Sequence, residues 1–436
     1  MIRIICTTWA LLLTLALPVR AEVKIQEITT PGGINAWLVE DHTIPFTALE
    51  LRFRGGGSLD AAGKRGATNL MVGLLEEGAA DMDARAFATR TEELAASFVY
   101  SSGDDTVAIS AKFLTENRDA AMTHLRASLI EPRFDQDALE RVRAQVLSGL
   151  RQDLTDPQAI ASRSFDSLVF GTHPYGSSQD GTIESVTALT RDDIVAAHQG
   201  TMARDRLYVG AVGDISAKEL GALLDDLLLD LPETGADFPP VAAMNFPGGV
   251  KVVEFDTPQS VVVFGQEGID MTDPDFFAAY VLNQILGGGS FESRLMQEVR
   301  EKRGLTYGVY TYLADRDLAD FWAGSVASGN ETVTEAIEVI RAEWQRARAG
   351  VTQAELDDAK TYMTGAYPLR FDGNGPIANI IVGMQMMGLT PDYVSNRNTM
   401  IEAVTMDDIF RVAQRLLDPA ALSFVVVGKP QGLDPT

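Results

Sequence analysis

The sequence predicts an α+β protein of two tandem homologous units, each a mostly antiparallel sheet with helices packed on one face. Strand patterns that alternate apolar and polar residues occupy 46–53, 105–113, 306–313 and 320–328. Helical patterns follow them in runs at 116–130, 135–154, 332–349 and 352–367. Strands first and helices after favour an α+β unit over alternating βαβ units.

An internal repeat predicts that there are two such units. The segment T-R-D-D-I at 190–194 precedes an apolar strand at 207–212 and Gly213. The segment T-M-D-D-I at 405–409 precedes another apolar strand at 422–427 and Gly428 with the same spacing. Two copies of a unit of about 200 residues therefore account for the length of the chain.

A proline-rich stretch separates the two copies. Residues 231–248 contain four prolines and little periodicity, which is typical of a linker. We predict a signal peptide at 1–21, an N-terminal peptidase-like domain at 22–230, the linker at 231–248 and a C-terminal peptidase-like domain at 249–436.

The first residues predict export. Arg3 precedes an apolar run at 9–17, and Ala21 ends the segment with the small residue that signal peptidase reads. We expect cleavage after Ala21 and, from the bacterial character of the segment, a periplasmic location. Cys6, the one cysteine of the chain, would leave with the signal, so packed cores rather than disulfides must stabilise the mature protein. No later stretch is apolar enough to predict membrane insertion.

The net charge of the chain indicates which kinds of molecule it can bind. It has 36 basic and 61 acidic residues and a net charge of −25, which disfavours nucleic acid as a partner. Such a surface attracts basic peptides, or it is simply a solvated acidic surface. No G-x-S-x-G motif and no mature cysteine nucleophile occur, so the sequence does not support a serine or cysteine hydrolase.

Two groups of motifs carry a family resemblance. The first unit contains H-P-Y-G at 173–176 and G-T-I-E-S-V at 181–186. The second contains G-G-G-S at 287–290, S-R-L at 293–295 and R-E-K-R-G-L-T-Y at 300–307. With the duplication and the linker, these motifs resemble the pitrilysin/insulinase-type metallopeptidase family over essentially the whole mature chain. The small bacterial members are the most similar, and their two units form a half-shell that pairs with a second half-shell.

The resemblance implies that this chain lacks the zinc chemistry of its active relatives. Those relatives carry H-x-x-E-H on a helix, with two histidine ligands and a glutamate base. The aligned positions here are Asn69, Val72 and Gly73. The window for the third ligand, 145–150, contains no acid, although Glu140 and Asp153 flank it. We therefore expect no metal or cofactor in this chain and zinc in a partner subunit.

The resemblance also implies a substrate-binding pair. Arg300 and Tyr307, seven residues apart, match positions at which active relatives hold the substrate backbone. A guanidinium can donate to peptide carbonyls, and a phenol can donate to the oxyanion that forms at the scissile carbonyl. Alternatively, Arg300 only closes a charged helix end and Tyr307 is an ordinary strand aromatic.

These observations predict the non-catalytic, substrate-handling subunit of a heterodimeric periplasmic zinc endopeptidase that acts on short or unfolded peptides. The chain is not expected to be a peptidase alone. Its expected partners are a homologous subunit with H-x-x-E-H and peptide substrates, and it could form a homodimer when alone. The alternative is a catalytically dead scaffold or peptide-binding protein of the same fold.

Overall fold

The computed structural model describes residues 24–289 and 291–433. The predicted signal peptide at 1–21 lies outside these residues. Among the residues that the structure describes, none of the helices combines the length and the apolar composition of a membrane span.

Two sheets and a short hairpin contain the strands. The first half of the chain contributes β1 (Gln26–Thr29), β2 (Asn35–Glu40), β3 (Phe46–Arg54), β4 (Gly78–Ala79), β5 (Met82–Asp83), β6 (Ser97–Ser102), β7 (Thr106–Leu114) and β8 (Leu207–Gly213). The second half contributes β9 (Gly249–Glu254), β10 (Gln259–Glu267), β11 (Thr306–Arg316), β12 (Ala319–Gly329) and β13 (Ser423–Gly428). Strands β4 and β5 form a separate two-stranded sheet.

Most helices of each half form a run between its early strands and its last strand, but the predicted order of strands first and helices after is not strict, because some helices lie between the early strands. The first half contains α1 (Ala67–Leu74), α2 (Ala84–Glu93), α3 (Arg118–Ile130), α4 (Gln136–Asp153), α5 (Pro157–Phe170), α6 (Ile183–Ala188), α7 (Arg191–Thr201) and α8 (Ala217–Leu228). The second half contains α9 (Phe276–Gly287), α10 (Val333–Ala349), α11 (Gln353–Ala366), α12 (Asn374–Met386), α13 (Tyr393–Ala403) and α14 (Met406–Leu416). Residues 231–248 form neither helix nor strand.

The two sheets share one topology. The first has the order β1-β2-β8-β3-β7-β6 and the second the order β9-β13-β10-β12-β11. In each sheet the central strand, β3 or β10, pairs antiparallel with both neighbours, and one outer pair, β2 with β8 or β9 with β13, is parallel. Apart from the additional β1, the sheets are therefore copies of one unit, and the predicted α+β fold with mostly antiparallel sheets is confirmed.

The repeated T-x-D-D-I segments have the same local role in both halves. Thr190 and Thr405 cap the starts of α7 and α14, and Asp193 and Asp408, three residues later, accept hydrogen bonds from the capping threonines. This capping box satisfies two backbone N–H groups that a helix start leaves without an internal partner. The repeat therefore encodes a helix start before the last strand of each sheet.

One helix from each half crosses to the sheet of the other half. Helix α5 packs on β10 and β13, and α12 packs on β3 and β8, the equivalent strands. Ala161 and Phe165 of α5 are buried against Val263 and Val425, and Ile381 of α12 is buried with Trp37. Each sheet thus has its own helices on one face and an exchanged helix on the other, so the two halves share their cores.

Candidate functional site

Helix α1 carries the three positions of the degenerate zinc motif. The carboxylate of Asp60 caps its first turn. It accepts hydrogen bonds from the backbone N–H groups of Gly66 and Thr68 at 2.8 and 2.9 Å and from the Thr68 hydroxyl at 2.7 Å. Burial raises the pKa of Asp60, and these hydrogen bonds oppose that rise. The sequence patterns did not reveal this cap, which fixes where α1 starts.

The residues at the three motif positions on α1 make contacts with neighbouring elements of the first unit. Val72 is buried in the core of the first unit. Gly73 faces Val142 of α4 so closely that a Cβ atom at this glycine would lie 3.0 Å from the Val142 Cγ1. The Asn69 carboxamide oxygen is 3.4 Å from the Ser102 hydroxyl on β6. The helix of the motif is therefore retained while its side chains fill space.

The remaining candidate ligands have other partners. Glu140 pairs with Arg143 at 3.3 Å. His124 stacks on Phe87 at a ring distance of 4.1 Å, and the His198 Nε2 is 2.9 Å from the Leu129 carbonyl oxygen. The His173 Nδ1 accepts a hydrogen bond from the Tyr175 N–H at 3.2 Å, which makes His173 a turn histidine.

The donor set of α1 does not fit zinc. A tight zinc site takes imidazole, thiolate or carboxylate ligands in a tetrahedral arrangement, and a carboxamide, a valine and a glycine offer none. Over 24–289 and 291–433, no group of three or more histidine, cysteine, aspartate or glutamate side chains is placed to hold a metal ion. The side chains of α1 therefore cannot supply the zinc chemistry of an H-x-x-E-H helix.

A buried glutamate anchors the turn that carries Arg300. Residues Met296–Glu301 form a π-helical turn, a rare geometry that is frequent at functional sites. Within it the Glu298 carboxylate accepts hydrogen bonds from Lys302 at 2.7 Å and Arg303 at 2.8 Å, and these bonds lower its pKa to about 2. Glu298 was not predicted, although its spacing of four residues from Lys302 is the signal that could have found it.

The Arg300 guanidinium makes only weak contacts with the described residues around it. Its carbon lies 4.7 Å from the ring centre of Phe291, and its Nε is 3.4 Å from the Glu301 carboxylate. Exposed pairs of this kind are worth about 0–1 kcal/mol. Arg300 is thus held near the surface while its N–H donors remain available to a ligand.

Tyr307 projects from a bulge at the start of β11. The pairing of β11 with β12 is interrupted between Thr306 and Val309. The Thr306 hydroxyl accepts a hydrogen bond from the Gly308 N–H at 3.1 Å, and it lies 2.7 Å from the Ala327 carbonyl oxygen. Tyr307 is 87% exposed, more than any other large hydrophobic residue in the described ranges. Bulges commonly re-aim a side chain next to a functional site.

The structure does not bring the two sets of predicted residues together within one chain. Helix α1 packs on α4, α7 and β6, whereas the π-helical turn packs on β11 and α10. No hydrogen bond or ion pair among the described residues joins Asn69 to Arg300 or Tyr307. The degenerate motif and the Arg300/Tyr307 pair are therefore separate surfaces.

The glycine run after α9 ends a helix. Helix α9 stops at Gly287, and Gly289 has a φ of 86°, which suits glycine. A Cβ atom at Gly287 would lie 2.7 Å from the Thr311 hydroxyl oxygen, so this glycine lets α9 approach β11. The end of a helix and its close approach to β11 therefore explain the glycines of this run.

Comparisons with known proteins agree with this architecture. The family model described as the peptidase M16 inactive domain matches residues 188–363. A protein named non-peptidase homolog YmxG from Helicobacter pylori is 29% identical over 390 residues, which cover 89% of this chain and 90% of that relative. A mitochondrial-processing peptidase subunit beta from Lentinula edodes is 22% identical over 355 residues, which cover 77% of this chain and 74% of that relative.

A solved structure extends the likeness to three dimensions. The crystal structure of a peptidase M16 inactive domain from Pseudomonas fluorescens matches with a TM-score of 0.88 and 28% identity, and the match covers 94% of this chain and 99% of that chain. These findings confirm the family resemblance that the motifs predict.

Proposed function

We propose that this chain, which resembles the M16 peptidase family and has Asn69, Val72 and Gly73 in place of that family's zinc-binding motif, is the non-catalytic, substrate-handling subunit of a heterodimeric periplasmic zinc endopeptidase. Its substrates are short or unfolded peptides. A homologous chain with an intact H-x-x-E-H motif supplies the zinc and the general base. This chain supplies Arg300, Tyr307 and half of the chamber.

One observation carries the proposal. Tyr307 is 87% exposed on a bulge, in a chain whose other large aromatic side chains are mostly packed in cores. An exposed tyrosine held outward by the backbone is available to a molecule that the isolated chain does not contain. A phenol in that position can donate a hydrogen bond to the oxyanion of a scissile peptide bond.

The separation of the two surfaces supports a partner. The Arg300/Tyr307 pair has no zinc motif beside it in its own chain, so the pair is useful for catalysis only if another chain brings one. A relative with 22% identity is itself named a subunit, the mitochondrial-processing peptidase subunit beta of Lentinula edodes. The predicted signal peptide makes the periplasm the compartment of the complex.

Mixing the subunits tests this function. We expect the purified chain alone to leave unstructured peptides uncut, and we expect cleavage when it is mixed with its exported homologue that contains H-x-x-E-H. Candidate partners are obtained by co-purification from the native host. Activity that neither subunit shows alone supports the proposal, whereas a partner that is fully active by itself contradicts it.

The second candidate is a catalytically dead scaffold or peptide-binding protein of the same fold. It is favoured by the name of the Helicobacter pylori relative, a non-peptidase homolog that is similar over 89% of this chain. The two candidates differ in what Arg300 and Tyr307 do. A scaffold requires neither side chain for the activity of any complex in which it takes part.

A further inference from the structure

The two exchanged helices pack on equivalent strands whose compositions differ. Strands β8 and β13 both end in a glycine, so their registers with β3 and β10 can be matched from that residue. The match places Glu50 of β3 at the position of Val263 on β10. Arg52, which points to the same side of β3 as Glu50, corresponds to Gly265. Helix α12 therefore lies on charged residues where α5 lies on uncharged ones.

Glu50 and Arg52 form an ion pair beneath α12. Glu50 is 5% exposed, and its carboxylate lies 2.7 Å from the Arg52 guanidinium and accepts a hydrogen bond from the Ser110 hydroxyl at 2.7 Å. Arg52 also donates to the carboxamide oxygen of Asn379 on α12 at 2.8 Å. Taking two charges out of water often costs as much free energy as their attraction returns. This pair therefore holds α12 less firmly than apolar contacts would.

The remaining contacts of α12 with the first sheet are partly polar as well. The Gln385 carboxamide donates to the Val209 carbonyl oxygen at 2.8 Å, and Arg54 of β3 donates to the Met386 carbonyl oxygen at the end of α12. The apolar part of the interface is small. It consists mainly of Ala378, Ile381 and Met384, which are buried with Trp37, Ala48 and Val212.

Helix α5 is anchored by aromatic rings instead. The Phe165 ring fits against Gly265 of β10, where a Cβ atom would lie 2.8 Å from the Phe165 Cζ, and its centre is 6.4 Å from that of the Phe246 ring in the linker. The centre of the Phe170 ring is 5.6 Å from that of Phe321 on β12. Buried rings contribute large apolar areas, and α12 contains no aromatic residue. The second sheet therefore binds its exchanged helix more firmly than the first sheet does.

The two helices also differ in their intrinsic stability. Asp156 caps α5 by accepting a hydrogen bond from the Gln158 N–H at 2.8 Å, and Pro157 follows it at the first helical position. The residue before α12 is Gly373, which has no side chain that could accept such a bond. Gly383, within α12, weakens this helix further. Both its own sequence and its docking surface thus make α12 the weaker of the two.

We propose that α12 is a releasable clamp, which undocks from the first sheet in a local opening while α5 stays docked and both sheets stay folded. Local openings require less free energy than global unfolding, and they draw on segments with few buried apolar contacts. The seam between the halves thus has one permanent contact, at α5, and one that opens, at α12. This inference does not depend on a partner chain or on the proposed function.

Hydrogen exchange of the purified chain, followed by mass spectrometry, tests the proposal. The measurement compares the hydrogen-bonded backbone amides in the interiors of α12 and α5, with each rate divided by the intrinsic rate of its sequence. We expect the amides of α12 to exchange at least about tenfold faster than those of α5. Circular dichroism checks that each variant is folded.

Three variants identify the cause of the difference. Glu50→Val combined with Arg52→Leu gives β3 an apolar surface like that of β10, and it should slow the exchange of α12 by about tenfold without changing that of α5. Gly383→Ala, at a position where a Cβ atom would meet nothing within 4 Å, should slow the exchange of α12 by about four- to fivefold. Gly149→Ala, at an equally open position within α4, is the matched control and should leave α12 unchanged.

Equal exchange rates in wild-type α12 and α5 would overturn the inference. An unchanged rate for α12 in the folded double variant would overturn it too, since both substitutions lie on β3 and act on α12 only through docking. Slowing of α12 and α5 to the same extent would contradict it as well, because that result reports global stability. If the double variant does not fold, Gly383→Ala decides the question, and a wild-type rate in that variant counts against the local opening.

Discussion

Replacing Tyr307 with phenylalanine should lower the turnover of the mixed enzyme by about 10²–10³-fold, the usual cost of removing one oxyanion donor. The change deletes only a hydroxyl. Since Tyr307 is 87% exposed and its phenol packs in no core, the variant should fold and assemble normally. Steady-state kinetics on heterodimers purified by gel filtration provides the measurement.

Arg300→Ala is measured in the same experiment, and its effect on the kinetics should differ from that of Tyr307→Phe. Its guanidinium is proposed to bind the peptide backbone, so its loss should raise the Michaelis constant as well as lower turnover. The cation–π contact with Phe291 and the contact with Glu301 are lost as well. They lie near the surface and should cost about 0–1 kcal/mol of stability.

Tyr362→Phe is the matched control for this pair. Tyr362 is 54% exposed on α11, so the substitution deletes another exposed hydroxyl that lies outside the π-helical turn and outside β11. Its turnover should remain at the wild-type level. Rates within a few-fold of wild type in both Tyr307→Phe and Arg300→Ala would refute the substrate-handling role and favour a scaffold.

The second large effect concerns the exchanged helices. Phe165→Ala should destabilise the protein by about 3–5 kcal/mol, because it opens a cavity under a ring that is 2% exposed. The ring lies against the backbone of β10, where a Cβ atom at Gly265 would come 2.8 Å from the Phe165 Cζ. Ile381→Ala on α12 should cost about 2–5 kcal/mol for the same reason.

Denaturant unfolding followed by circular dichroism measures both variants. We expect one cooperative transition that moves as a whole in each case, since each helix completes the core of the other half. Leu369→Ala, at a residue that is 78% exposed, is the control and should stay within about 0.5 kcal/mol of wild type. Two separate transitions, with only one displaced by Phe165→Ala, would show that the halves are stable independently.

Local periodicity was sufficient to predict most elements. The strand predicted at 105–113 is Thr106–Leu114, and the helix predicted at 135–154 is Gln136–Asp153. These segments have a clear period of two or of about 3.6 residues, and their apolar faces are buried as the patterns require. The repeat was visible because the same capping box precedes the last strand of each sheet.

The exchange of helices could not be predicted in this way. Ala161, Phe165 and Val169 have a helical spacing, but a periodic apolar face shows only that a helix is covered, not which sheet covers it. The expectation of helices on one face therefore described each half correctly and omitted the helix that the other half contributes.

The sequence predicted which residues belong to the site, but not how the fold positions them. The family resemblance identified Arg300 and Tyr307, and their substrate role stays a prediction. The buried Glu298 that anchors the turn, and the bulge at 306–309 that exposes Tyr307, depend on contacts with β12 and with Lys302 and Arg303. Such contacts arise only once the chain is folded.

The zinc content of the isolated chain tests the central claim most directly. The purified protein is dialysed against a weak chelator and its metal is measured, with the homologue that carries H-x-x-E-H treated in parallel as the positive control. We predict no stoichiometric zinc in this chain, because Asn69, Val72 and Gly73 stand where two ligands and a base belong, and about one zinc in the homologue. One tightly held zinc per molecule of this chain would contradict the account.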